Sequence, residues 1–277
     1  MLYICATPIG NLGDITLRAL DILAKADIIL CEDTRISIKL LNHHGICNKR
    51  LIALHQHNEN EVSSKVNAWL EEGLTIVQIS DAGTPGISDP GARLCSNLMQ
   101  QGITAHPLPG PSAVTCLLSV SGIINSPCLF FGFLEHKSGA RIKQLKQWEA
   151  TPYTICIYES PHRILACLND IKQTLGGERQ LVIGRELTKQ FETILYGSAE
   201  ELYAKVNSDP NQQRGELVLL IKPLITIFKT EEQLTQRQIE VLQLIAGELP
   251  AKKAVNLTHQ LEGGSKELLY QYLLDHK

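Results

Sequence analysis

Three glycines and two prolines crowd the twelve residues Ser80-Asp81-Ala82-Gly83-Thr84-Pro85-Gly86-Ile87-Ser88-Asp89-Pro90-Gly91, and such a stretch takes a backbone path that ordinary residues avoid. Glycine lets a ligand approach the main chain, while Asp and Ser offer acceptors for ribose hydroxyls or an ammonium group. A long turn held by Asx-type hydrogen bonds is the alternative, but structureless polar loops of this length are usually functional. Thr7-Pro8-Ile9-Gly10-Asn11-Leu12-Gly13-Asp14 lacks the G-x-G-x-x-G spacing of dinucleotide binders and the lysine of a phosphate-binding loop; a turn and a ligand loop stand equal there. Leu108-Pro109-Gly110-Pro111-Ser112-Ala113 leaves room for a planar ring beside helix N-terminal amides, though taken alone it reads better as a proline-started helix. The segments Tyr158-Glu159-Ser160-Pro161-His162-Arg163, Arg185-Glu186-Leu187-Thr188-Lys189 and Arg214-Gly215-Glu216 each mix carboxylate with base. Singly they are ordinary strand caps; together they suggest a shared cleft.

These loops need strands and helices to hold them. The runs 2–6, 27–31, 50–54, 74–80 and 104–108 are short, apolar and bounded by Gly, Pro, Asp or Asn, and read as strands. Helical spacing occupies 16–26, where Leu17, Leu20 and Ala24 share a face, and 58–72, which stops at Gly73. That alternation predicts an open, mainly parallel α/β sheet, with ligands beyond the carboxyl ends of its strands. Farther on, 129–133, 153–158, 181–185, 191–196 and 216–222 read as strands and 139–150, 161–175 and 199–207 as helices. Consecutive strands there predict a mixed sheet. After Pro223 only helices follow: Thr235 with Gln238 forms a capping box, Pro250 opens a second helix, and Gly263-Gly264-Ser265 precedes a third. The expected division is 1–122, 123–225 and a helical appendage at 230–277.

Composition narrows the function classes. With 44% hydrophobic and 20% charged residues among 277, the chain is globular rather than disordered. A formal charge of −3 excludes a dedicated non-specific nucleic-acid binder, so any RNA contact must use local patches. The eight cysteines are scattered without C-x-x-C spacing, which points to buried thiols of a reducing cytoplasm rather than to a metal site. No apolar run exceeds strand length, so no membrane span and a cytoplasmic location are expected.

Taken in order, Ala6-Thr7-Pro8-Ile9-Gly10-Asn11-Leu12, Glu32-Asp33-Thr34-Arg35, 80–91, 109–113, 158–163, 185–189 and Arg214-Gly215-Glu216 resemble the tetrapyrrole-methylase superfamily, and within it the ribosomal RNA small-subunit methyltransferase I group. The tail from Glu248 through Tyr270 resembles that group's C-terminal helical module, so the likeness spans essentially the whole chain. It implies two α/β domains with an S-adenosylmethionine cleft between them and a small helical module behind. It also implies methyl transfer to a cytidine 2′-hydroxyl in the decoding region of 16S rRNA, a homodimer, and no metal. Assembled small subunits rather than naked rRNA are the expected substrate. The competing readings are a methyltransferase of the same superfamily acting on a tetrapyrrole or a modified protein histidine, a non-catalytic S-adenosylmethionine binder, and a helix-turn-helix regulator resting on the tail alone.

By position in these motifs, cofactor binding is implied for Pro8, Asp81, Gly83, Thr84, Ile87, Ser88, Asp89, Ser112, Ala113, Tyr158, Leu187, Gly215 and Glu216. Methyl transfer from a sulfonium is an in-line displacement that depends on positioning, and the attacking hydroxyl must lose a proton. Glu159 and His162 are candidates for a proton relay; Arg35, Arg163 and Lys189 are candidates to hold phosphate or steady an oxyanion. Each has an alternative as a salt bridge or helix cap. For RNA contact the run Lys137, Arg141, Lys143 and Lys146, with Trp148 nearby and Arg163, stands against a solvated helix face; His43, His44, Lys49 and Arg50 form a second modest cluster. Lys252, Lys253 and Lys266 in the tail are offset by Glu231, Glu232, Glu240, Glu248, Glu262, Glu267 and Asp275, which weakens a simple DNA-binding reading.

Overall fold

A computed structural model describes residues 1–55, 57–224 and 234–276. Met1–Leu224 form one compact unit and Ile225–Lys277 a second. Glu231, Glu232 and the expected limits at 225 and 230 lie outside the described residues.

The first half of the larger unit holds five parallel strands, β1 (Leu2–Cys5), β2 (Ile28–Cys31), β3 (Arg50–Ala53), β4 (Ile76–Ile79) and β5 (His106–Leu108), in the order β3-β2-β4-β1-β5. Their helices are α1 (Leu17–Lys25), α2 (Thr34–His43), α3 (Glu59–Glu71), α4 (Ala92–Gln100) and α5 (Ala113–Val120). Successive strand side chains point to opposite faces. Ile28, Leu30 and Ile76 therefore meet Val62, Val66, Leu94 and Leu98 of α3 and α4. Ile29, Cys31 and Val77 meet Leu23, Leu40 and Leu41 of α1 and α2. With both faces covered, a parallel strand reads as an unbroken apolar run, and β2 is buried at all four positions. Helices α2 and α4 were not anticipated. Asp33 caps α2 by accepting the Arg35 amide at 2.8 Å.

The second sheet runs β6-β7-β10-β8-β9, built from β6 (Cys128–Phe133), β7 (Thr154–Glu159), β8 (Gln180–Arg185), β9 (Thr193–Ser198) and β10 (Leu217–Ile221). Only β6 and β7 are parallel; the other pairings are antiparallel, giving the mixed sheet expected. One face packs α6 (Ser138–Gln147), α7 (Ile164–Leu175) and α8 (Ala199–Ser208). On the other, Cys156, Val182, Val218 and Leu220 pack against Leu117 of α5, so a helix of the first half covers the second sheet.

The smaller unit contains α9 (Gln236–Ala246), α10 (Ala251–Glu262) and α11 (Lys266–Asp275) around Leu242, Ala254, Val255 and Leu269. The capping box is formed: the Gln238 amide donates to Thr235 Oγ1 at 3.2 Å, and the Thr235 amide donates to Gln238 Oε1 at 2.9 Å. No described helix is long and apolar enough to cross a membrane. Cys5, Cys31, Cys156 and Cys167 are buried, but Cys47 and Cys128 are exposed, which corrects the expectation of uniformly buried thiols.

Candidate active site

In the first sheet β1 lies between β4 and β5, so the three loops that leave the carboxyl ends of these strands are neighbours. Thr7 and Gly83 bridge two of them, the Thr7 amide donating to Gly83 O at 2.8 Å and the Gly83 amide returning to Thr7 O at 3.0 Å. Thr84 Oγ1 donates to Pro111 O at 3.4 Å and ties in the third. In the second sheet Leu217 pairs with both Glu159 and Arg185. That register brings 158–163, 185–189 and 214–216 to one end of the sheet. The two loop sets touch: the Asn11 amide donates to Thr188 Oγ1 at 3.2 Å. Gly10 lies so close to Lys189 and Leu187 that any Cβ there would strike them.

Between the sets is a cavity of about 340 Å³, within the range of small-molecule sites. Ile9, Ile87, Ala113, Leu187, Val218 and Tyr158 make its wall largely apolar, and Gly83, Gly184 and Gly215 expose backbone. A Cβ at Gly184 would sit 2.9 Å from Leu117 Cδ1, so any side chain there would force Leu117 to shift. Gly83, Gly86, Gly91 and Gly215 all have positive φ, as do Ser88, Glu186 and Thr188, a conformation that costs non-glycine residues free energy and clusters at ligand sites.

Charge is divided across the cavity. Burial and the carboxylates Glu32 and Asp81 push Asp89 up to about 7, against a smaller lowering by the Ser80 hydroxyl. Burial, Asp81 and Asp33 raise Glu32, and burial is the main cause of the rise at Asp81. Burial, with Cys156 and Asp89 adding to it, raises Tyr158 to about 12, so its phenol stays protonated. On the other side Lys189 pairs with Glu186 at 2.8 Å and Glu216 at 3.0 Å. Burial works against the Lys189 charge, but these two carboxylates outweigh it and raise the group.

Eleven of the thirteen residues expected at a cofactor line this cavity: Gly83, Thr84, Ile87, Ser88, Asp89, Ser112, Ala113, Tyr158, Leu187, Gly215 and Glu216. Pro8 is buried beneath the wall, and Asp81 lies behind it, accepting the Asp33 amide at 3.0 Å. Glu159 lines the cavity, but its oxygens face Arg163 Nε at 3.1 Å and accept the Ser160 amide at 2.7 Å. His162 is exposed and shares no hydrogen bond with Glu159, so the expected relay is not formed. Arg35 is exposed and paired with Asp33 at 2.6 Å.

The basic cluster also needs correcting. Arg141 is buried and ion-paired with Asp170 at 2.6 Å, so it presents no charge to a phosphate. Arg163 is committed to Glu159 and to Leu134 O at 2.6 Å. Trp148 is buried against Phe131. Lys137, Lys143 and Lys146 remain exposed on or beside α6. In the second cluster Lys49 donates to Ala26 O at 3.0 Å, and Arg50 lies 5.1 Å from the Trp69 ring. Two functional neighbours were missed altogether. Glu59 Oε1 accepts the Gly91 amide at 3.0 Å, and Gln78 Nε2 donates to Pro90 O at 3.0 Å, both from beneath the 80–91 loop. A glutamine in the otherwise apolar strand Ile-Val-Gln-Ile was the signal for the second.

A family model described as Tetrapyrrole (Corrin/Porphyrin) Methylases matches residues 1–203, and one described as RsmI C-terminal HTH domain matches residues 232–277. The chain is 42% identical over 276 residues to the ribosomal RNA small subunit methyltransferase I of Neisseria meningitidis serogroup B, covering 100% of this chain and 94% of the relative. It is 45% identical over 274 residues to the protein of that name from Escherichia coli O157:H7, covering 99% and 94%. Among solved structures, diphthine synthase superposes with a TM-score of 0.63 at 14% identity over 80% of this chain and 89% of that one. The cobalamin biosynthetic enzyme cobalt precorrin-4 methyltransferase gives 0.58 at 16% identity, over 79% and 93%. At such identities the structures speak for the fold alone.

Proposed function

Because the chain belongs to the tetrapyrrole methylase family, we propose that it methylates the ribose 2′-hydroxyl of a cytidine in the decoding region of 16S rRNA, with S-adenosylmethionine as donor. The observation that carries this reading is the full-length likeness, helical tail included, to proteins named for small-subunit rRNA methylation.

The cavity suits the donor. Its apolar wall of Ile87, Ala113, Leu187 and Tyr158 fits a planar base, its open glycine backbone accommodates a ribose, and its carboxylates favour a cationic tail. When bound, S-adenosylmethionine supplies a methyl group made electrophilic by its sulfonium. Asp81 orients from behind the wall by fixing the Asp33 amide. Glu159, locked by Arg163 and the Ser160 amide, holds the 158–163 turn in place. Lys189 keeps its proton; it cannot act as a base and instead steadies negative charge on the acceptor side. The exposed Lys137, Lys143 and Lys146 contact the RNA backbone. In this reading residues 1–122 and 123–225 are two lobes flanking the cavity, 230–277 is an appendage, and the protein works in the cytoplasm as a homodimer that needs no metal.

The test is transfer of labelled methyl to small-subunit particles lacking their native rRNA methylations, with the product mapped by nuclease digestion and mass spectrometry. Label on a cytidine ribose, stronger on particles than on naked rRNA, is expected. Folded protein that binds the donor yet labels no RNA would overturn the assignment and bring tetrapyrrole and protein acceptors forward.

A further inference from the structure

Strict alternation along β6 would put Phe131 and Phe133 on one face of the second sheet and Phe130 on the other. The strand does not keep to it. Against β7, Phe130 pairs with Cys156 and Gly132 with Ile157, so Phe131 is an extra residue and the strand bulges there. Gly132 has the positive φ of 84° at this bulge, a conformation open to glycine. The aromatic rings show the result. Phe131 turns to the helix-covered face and meets Trp148 edge-on at 4.9 Å. Phe130 and Phe133 both turn to the opposite face, where they meet Tyr158 at 5.0 and 5.6 Å. Bulges re-aim side chains beside active sites, and this one moves Phe133 from the helix face to the cavity.

Phe133 stands at the lip of that cavity. It is one of the lining residues, and a Cβ on the neighbouring Gly132 would fall 3.1 Å from Ser88 Oγ, so the bulge lies against the 80–91 loop. Phe133 is nevertheless 52% exposed, whereas Ile9, Leu187 and Val218 of the same wall are buried. Among the described residues that line the cavity, only Phe133 and Tyr158 are aromatic. The wall assigned above to the donor's base is Ile87, Ala113, Leu187 and Tyr158, which leaves Phe133 unused. From Phe133 the chain runs within four residues to Lys137 and then into α6, where Lys143 and Lys146 are exposed. The open ring therefore lies where the cavity meets the basic run.

We propose that Phe133 is the stacking platform for an unstacked base of the acceptor RNA, beside the ribose whose hydroxyl is methylated. This rests on the functional reading above and deepens it. A ribose presents its hydroxyl to a donor inside a cavity only by leaving its stacked neighbours, and bases freed in this way are held on aromatic side chains. An aromatic ring flanked by cations is the combination that holds single strands, the ring taking the base and the cations the phosphates.

The experiment separates acceptor from donor. Wild type, Phe133→Ala, Phe133→Leu and Phe133→Tyr are assayed for kcat and KM on methylation-deficient small subunits, and donor affinity is measured by calorimetry without RNA. Phe133→Ala should lower kcat/KM by about 10- to 100-fold, the equivalent of one base stack. Phe133→Leu, apolar but without a ring, should lose at least about fivefold, and Phe133→Tyr should stay within about twofold of wild type. Donor affinity should change by less than about threefold in all three. Full activity in Phe133→Leu would overturn the proposal, because a plain apolar contact needs no ring. A loss of donor affinity matching the loss of kcat/KM would also overturn it and make Phe133 part of the donor site. Should Phe133→Ala unfold, Phe133→Leu and Phe133→Tyr decide by the same two criteria. Wild-type protein that binds the donor but labels no ribose would remove the proposal together with the functional reading; an active wild type with equally active variants removes only the proposal.

Discussion

Replacing Arg141 by methionine should destabilise the protein strongly and leave RNA binding almost untouched. The Arg141 and Asp170 side chains are 3% and 7% exposed, with Nη2 and Nε both on Asp170 Oδ2 at 2.6 and 2.7 Å. Among the described residues, removing the cation leaves Asp170 with the Ser138 hydroxyl alone, 2.9 Å away. Breaking one side of a buried pair costs about 3–5 kcal/mol, because the surviving charge stays desolvated. For a unit of this size that lowers the melting temperature by roughly 10 °C. The pair itself contributes much less, so Arg141→Met with Asp170→Leu should recover to within about 1–2 kcal/mol of wild type. Chemical denaturation of the three proteins measures this. Binding to small-subunit particles over a salt series gives the contrast. Lys143→Met should reduce the salt slope by about one, and Arg141→Met should not change it. A stable Arg141→Met that binds RNA less tightly with a shallower slope would refute the reasoning and return Arg141 to the RNA surface.

Two further outcomes are expected. Glu59→Leu leaves the buried Gly91 amide without its acceptor, at about 1–3 kcal/mol, and should weaken donor binding, while Glu59→Gln keeps the acceptor and should restore both; denaturation and calorimetry check this, and equal loss in both variants would show that charge rather than the hydrogen bond matters. Asp89→Asn should stabilise the ligand-free protein increasingly as pH rises. The fold raises this carboxyl from 3.8 to about 7, so its contribution is complete below the lower value and lost through the upper one. The full shift is worth about 4 kcal/mol and solvent screening reduces it to about 1–2 at this half-buried position. Melting temperatures from about pH 4 to about pH 8 give the test, and parallel curves for the two proteins would contradict the shift.

What the sequence disclosed follows from which signals are local. Ile28-Ile29-Leu30-Cys31 is legible as a strand because both of its faces are covered and no polar residue interrupts it. The 80–91 loop is legible because glycine and proline mark unusual backbone. Helix α2 is not: Ile36 and Ile38 are β-branched and about half exposed, so the segment shows neither good helix propensity nor a clean apolar face. Arg141 was misread because its partner, Asp170, is 29 residues away, and nothing local says which face of α6 meets α7. The roles given to Thr84, Ser112 or Leu187 came from family likeness. Periodicity alone would have left them as loop residues.

The polar residues that sequence reading missed lie one layer below those it found, and strain explains why. Ser88, Glu186 and Thr188 hold positive φ at the cavity, each at a cost of about 1–3 kcal/mol that persists only where neighbours over-determine the backbone. The neighbours are identifiable. Glu186 Oε1 accepts the Glu216 amide at 2.8 Å while the Glu186 amide donates to Glu216 O at 2.9 Å. Glu192 Oε2 accepts the Thr188 amide at 2.6 Å, and Glu59 and Gln78 clamp the two residues that follow Asp89. A wall made of backbone and small side chains recognises a ligand only if it does not move, so the specific polar chemistry shifts from the wall to the supports behind it. Solved structures at 14–16% identity share this fold, which is what a site held by backbone shape permits.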